Sequence, residues 1–107
     1  MEIIFHAHHA SISDSMRRRA EGGVRRIGRR IGRAVDAVIR FEQDGSVKRV
    51  EIVLHAPPKR DLVARGESRF YGLALTDALV RIGAQVRSFG KISTAKRARA
   101  ARLAAKA

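Results

Sequence analysis

Residues 16–33 read MRRRAEGGVRRIGRRIGR, with eight arginines, four glycines and a single acid, Glu21. A disordered basic arm and a helix both accommodate that composition, but an arm wraps its partner whereas a helix presents a fixed charged face. Met16, Ala20, Val24, Ile27 and Ile31 recur at intervals of four, four, three and four, which is one apolar stripe of helical period. Arg17, Arg18, Arg25, Arg26, Arg29, Arg30 and Arg33 fall largely off the stripe. A disordered arm has no reason to keep apolar residues in register, so the spacing predicts an amphipathic helix coated with arginine. Ser13 offers its N-cap, Asp14 a negative charge in the first turn, and Gly32 a left-handed stop. Gly22, Gly23 and Gly28 each cost about 1 kcal/mol relative to alanine, so packing must hold the helix together.

Outward from this helix the chain reads as strands. Ile3, Phe5 and Ala7 alternate with their neighbours in a first short strand. After the helix, AVDAVIRFE (34–42) places Val35, Ala37, Ile39 and Phe41 at period two, and VKRVEIVLHA (47–56) does the same with Val50, Ile52 and Leu54. Asp44-Gly45, in the QDGS between them, signals a hairpin. Arg40, Lys48, Arg49, Glu51 and His55 mark the opposite, solvated faces. PPKRD then breaks the chain before a shorter strand, LVARGE. A second helix is expected from about Phe70 to Phe89, where Leu75, Leu79, Ile82, Val86 and Phe89 are spaced by four, three, four and three. The order β-α-β-β-β-α implies an α+β domain with two helices on one face of a four-stranded, mostly antiparallel sheet and the other face open to water. From Lys91 onward, KISTAKRARAARLAAKA holds six basic residues, seven alanines and no acid. Residues 1–90 therefore read as the folded domain. Residues 91–107 read as a basic Ala/Arg-rich tail, disordered in isolation and helical on a polyanion.

A chain of 107 residues holds one domain with a modest core. Its 23 lysines and arginines against 10 acids give a net charge of +13, which repels itself unless a polyanion is near. Nucleic acid is the leading partner class. Arginine outnumbers lysine by 18 to 5, and its planar fork suits phosphate. GC-rich coding DNA accounts equally well for that ratio, though not for the excess of positive charge. The absence of cysteine removes disulfides, thiolate metal sites and thiol nucleophiles. With no signal-like start and no run of 18 apolar residues, a soluble cytoplasmic protein is expected. The apolar stripe is needed for the core, which leaves no face to insert into a membrane surface. Paired carboxylates, a phosphate-cradling glycine loop and a nucleophile with its base are all missing, so no enzyme is expected.

A few residues admit two readings. His6, His8, His9 and His55 invite a metal, but no carboxylate is placed to complete the set, and no metal or cofactor is expected. His8 and His9, just before the basic helix, suit contact with RNA or with solvent equally. Phe70 and Tyr71 could stack on a base, although their place beside the apolar stripe favours core packing. Gly22-Gly23 suits either a close approach of RNA or no role.

With these elements laid out, IFHAHHASISDSMRRRAEGGVRRIGRRI (4–31) and LVARGESRFYGLALTDALVRIGAQVRSFG (62–90) resemble the ribosome hibernation promoting factor family, which includes the ribosome-associated inhibitor once called sigma-54 modulation protein. The family's K-L-x-K-like step appears as Arg26-Ile27-Gly28-Arg29. Its A-I-x-x-x-x-x-K-L-x-x-Q-L pattern appears as Ala74-Leu75, Arg81-Ile82 and Gln85-Val86. The chain departs from the pattern at Arg69 and Phe70, where acids are usual, at Thr76, where Asp or Asn is common, and at Ala84, where a basic residue is common. The resemblance implies a fold like a double-stranded-RNA-binding domain. It also implies binding to rRNA of the small ribosomal subunit in the channel used by tRNA and mRNA, and repression of translation in stationary phase or stress. Carried over by position, Arg17, Arg26, Arg29, Arg81 and Lys91 match basic residues of the family; Arg25, Arg30 and Arg87 are added from the amphipathic reading alone. The length matches a short form, monomeric off the ribosome, with neither membrane nor small-molecule partner. Whether ribosomes are kept single or paired stays open. The alternative is a general binder of structured or double-stranded RNA without ribosome specificity.

Overall fold

The apolar stripe and its two caps form the helix that their spacing predicts. Helix α1 covers Asp14–Ile31. Ser13 keeps an extended backbone and its Oγ accepts the Met16 N–H at 3.1 Å, while Gly32 ends the helix at φ 69°. The computed structural model describes residues 1–32, 36–56 and 60–106, with side chains for all of these except Arg60 and 89–106. Arg33, Val35 and the prolines of PPKRD lie outside the described residues, and so does the Phe89 side chain.

Strands β1 (Glu2–His8), β2 (Asp36–Asp44), β3 (Val47–Ala56) and β4 (Arg60–Ser68) form one sheet in that order. β1 runs parallel to β2, because α1 carries the chain back between them, and the other two pairings are antiparallel. The β2–β3 loop is Gly45-Ser46, one residue beyond the expected Asp44-Gly45, since Asp44 still pairs with Val47. Gly45 takes φ 60° at the first central position, where glycine relieves the strain of a tight hairpin. β4 is nine residues rather than a short strand, paired with β3 from Arg60 to Ser68.

Alternation sends Ala37, Ile39, Phe41, Val50, Ile52, Leu54, Leu62 and Ala64 to one face, where they are buried. Ala20 and Val24 of α1 join them, as do Tyr71, Ala74, Leu75, Ala78, Ile82 and Val86 of the second helix, α2 (Tyr71–Lys106). Gly66 on β4 lets α2 sit directly on the sheet: a Cβ there would collide with the Ala74 carbonyl and lie 2.8 Å from the Ala78 nitrogen. Lys48 departs from expectation. It shares the parity of Val50 and Ile52, so it lies on the helix side with its Nζ 4.9 Å from the Tyr71 ring centroid.

The backbone of α2 stays helical to Lys106, well past the end expected near Phe89. Apolar periodicity marks only the packed part of a helix. Beyond Gly90 the run of Ala, Arg and Lys contains neither glycine nor proline and favours helix by propensity alone.

Candidate nucleic-acid interface

Packing of the stripe turns the arginines of α1 outward. Arg17, Arg18, Arg19, Arg26, Arg29 and Arg30 are exposed, while Ala20, Val24 and Gly28 are buried beneath them. Among the described residues no carboxylate pairs with Arg18, Arg26, Arg29 or Arg30. Arg26, Arg29 and Arg30 stand at i, i+3 and i+4, so their side chains are neighbours within about one 5.4 Å turn. Arg25 and Arg29 rim a cleft of about 250 Å³ shared with Met1, Gly28 and Gly32. A site of this kind offers planar donors on a rigid backbone, which suits phosphate oxygens and leaves base edges unread.

Other arginines are already engaged within the protein. Arg25 donates to Glu21 Oε1 at 2.9 and 3.1 Å and to the Met1 carbonyl at 2.8 Å, so it ties the chain start to α1. Arg17 lies over the Phe5 ring, 4.9 Å from its centroid, which draws it toward β1. Arg19, which no sequence pattern marks as a site residue, donates to the Gly72 carbonyl at 3.0 Å and to Thr76 Oγ1 and so clamps α1 to α2. No local sequence signal separates it from its neighbours Arg17 and Arg18.

The α2 residues divide in the same way. α1 meets α2 where a Cβ at Gly23 would come within 2.9 Å of the Leu79 methyls and one at Gly83 within 3.8 Å of Ile27 Cδ1. The glycine of the opening stretch that had two readings, Gly23, therefore serves helix packing, whereas Gly22 has nothing within 4 Å of a Cβ position. Arg87 is exposed with Nη1 about 4.0 Å from the Cβ position of Gly83, at the same seam. Arg81 points elsewhere. It pairs with Asp77 at 3.3 Å and donates to the Arg65 carbonyl of β4 at 2.9 Å, and nearby Gln85 Nε2 donates to the Val63 carbonyl at 2.7 Å. Lys91 lies within α2, its side chain outside the described residues. Arg87 thus stands at the seam between α1 and α2, whereas Arg81 turns toward β4.

His8 and His9 are exposed at the end of β1 with ring centroids 4.2 Å apart, and His9 takes φ 51°. Tyr71 is buried edge-on to Phe41, and burial pushes its phenol above the ordinary value; its hydroxyl has no hydrogen-bond partner among the described residues. The expected core packing holds for Tyr71 but not for Phe70, which precedes α2 and is 64% exposed. Among the described residues no helix is long and apolar enough to cross a membrane, and no three His, Cys, Asp or Glu side chains gather to hold a metal ion.

The fold is similar to a ribosomal subunit interface protein from Coxiella burnetii, at a TM-score of 0.76 and 19% identity over 83% of this chain and 97% of that one. It is also similar to the N-terminal domain of Thermus thermophilus Protein Y, at 0.74 and 23% identity over 83% and 99%. No curated protein matches the sequence. Residues 3–91, which take in the sheet except Glu2, together with α1 and the packed part of α2, match the model of one family. The chain belongs to the family described as Sigma 54 modulation protein / S30EA ribosomal protein.

Proposed function

We propose that the chain is a ribosome hibernation factor that binds rRNA of the small subunit in the channel of tRNA and mRNA and represses translation in stationary phase or stress. The observation that carries this reading is the outer face of α1, where Arg18, Arg26, Arg29 and Arg30 stand exposed without a carboxylate partner among the described residues. Family membership supports the ribosome as the source of the phosphate, and the Coxiella protein of the same fold is called a ribosomal subunit interface protein. Rigid guanidiniums on a helix fit a folded RNA by shape and backbone.

In this reading Arg26, Arg29 and Arg30 hold phosphate directly, with Arg17, Arg87 and Lys91 beside them and His8 and His9 at the margin. Arg25 and Arg81 add positive potential while staying bound to their own carbonyls and carboxylates. Residues 1–90 are the ribosome-binding domain, and the basic tail from Lys91 is a helix resting on propensity alone that RNA stabilises. The protein works in the cytoplasm as a monomer, without cofactor, and catalyses nothing.

Co-sedimentation with ribosomes and separated subunits across a salt series tests this, beside an Arg26/Arg29/Arg30 triple alanine variant. Saturation at one copy per small subunit is expected, and the variant's log–log salt slope should be flatter by about one unit for each phosphate it no longer holds. Unsaturable binding shared equally with naked duplex RNA would instead make it a general RNA-binding domain.

A further inference from the structure

The sheet face that the helices leave uncovered is ordered by cross-strand register into four rows. Ile4, Val38, Val53 and Val63 are successive partners across all four strands and form an unbroken aliphatic row. Its ends are open, with Ile4 41% and Val63 42% exposed. On one side lies the row Glu2, Asp36, His55 and Asp61; on the other lie His6, Arg40, Glu51 and Arg65, then His8, Glu42, Arg49 and Glu67. These rows hold six of the chain's ten acids against three arginines. Each of those arginines is paired within the face: Arg40 and Arg65 with Glu51 at 3.3 and 2.6 Å, and Arg49 with Glu42 and Glu67 at 3.4 and 2.8 Å. A protein of net charge +13 thus carries one face on which acids are in excess.

From this juxtaposition, and on the reading that the protein sits on the ribosome, we infer that the open sheet face docks a lysine- or arginine-rich segment of a ribosomal protein. The segment lays apolar side chains along Ile4, Val38, Val53 and Val63 and sets its cations against the flanking carboxylates. Charge complementarity selects this occupant. RNA and anionic lipid are repelled by the excess of carboxylate, and a second copy face to face would bring like-charged rows together. A purely solvated face needs no such row, because outward positions of a one-sided sheet are ordinarily polar.

Val63 stands on the β4 edge, where a charge is tolerated, and it gives a test whose sign discriminates. Ribosome affinity would be measured for Val63→Lys and Val63→Glu, with thermal melts showing that both fold and with naked rRNA as the reference. Val63→Lys is expected to weaken ribosome binding roughly threefold to tenfold and to leave rRNA binding unchanged or tighter, while Val63→Glu keeps wild-type affinity. If Val63→Lys instead tightens ribosome binding, the face meets a polyanion and the inference falls. If neither change has an effect, the row serves the sheet alone; if both weaken binding equally, the partner is not basic. A p-benzoylphenylalanine at position 63 in the ribosome-bound protein should cross-link to a basic ribosomal protein, and cross-links to rRNA overturn the inference. Failure of the wild-type protein to saturate small subunits would sink the ribosome reading itself, whereas saturation with silent position-63 variants would sink this inference alone.

Discussion

The two faces of this domain share one core and differ in how their charges are used. On α1, arginines stand at helical spacing with few acids near them, and the free ones remain available to a partner. On the open sheet, arginine and glutamate alternate across strands and largely satisfy one another around an aliphatic row. The same residue type is an outward-directed ligand in one place and an internal strut in the other. What decides between them is whether the backbone period sets a carboxylate opposite, as cross-strand pairing does and the composition of α1 does not.

The distinction between the faces is most exposed to mutation where helix and sheet touch. Gly66→Ala drives a Cβ into the backbone of α2 at Ala74 and Ala78, which cannot give way as a side chain would. A loss at the top of the overpacking range, about 3 kcal/mol, is expected in denaturant titration, together with weaker ribosome binding as α2 lifts away. A loss within experimental error would mean that α2 is not seated on β4 as described.

A smaller change addresses the helical face alone. Ser13→Ala removes the acceptor for the Met16 N–H and should cost about 1 kcal/mol. Fraying is then expected in amide exchange at the start of α1, with protection in β3 and β4 unchanged. Loss of protection spread evenly over both faces would show that the helix and sheet do not respond separately.

The smallest effect is expected on the sheet face and depends on pH. His55 is hydrogen-bonded to Asp61, which raises its pKa, and the charge of Asp36 adds to the rise. Because the folded value lies above the unfolded value of 6.5, the stabilisation is fully present below 6.5 and is lost as pH climbs through the raised folded value. The difference in Tm between wild type and Asp61→Asn should therefore be greatest on the acid side and shrink toward neutral and alkaline pH. Being exposed, the pair is expected to shift Tm only slightly and to leave the salt dependence of ribosome binding untouched. A Tm difference that grows with pH would contradict a raised His55 pKa.

Features carried by local period were readable from the sequence: the stripe of α1, both of its caps, the core positions of β2 and β3, and the order of elements. Features that depend on two elements meeting were not. Lys48 has the charge of a solvated residue but the period-two parity of Val50 and Ile52, and only the arrival of Tyr71 from α2 shows what its ammonium meets on the helix side. Gly23 owes its identity to Leu79, fifty-six positions away. The site divides likewise, since a row of arginines announces a basic helix, whereas only the fold reveals that Arg19 and Arg25 hold the domain together. The end of α2 eluded the apolar pattern because that segment has no apolar period to mark it.

The two side chains that α2 sends to the outer margin of β4 have a consequence beyond recognition. By accepting hydrogen bonds from Arg81 and Gln85, the carbonyls of Arg65 and Val63 are withdrawn from the rim of the sheet. An unsealed outer strand is a template on which another chain can add a strand of its own, and growth of that kind leads to aggregates. Here the α2 side chains occupy part of the template. Arg81 and Gln85, the residues at which the second helix follows its family's pattern, thus also close part of the edge on which a foreign strand would grow.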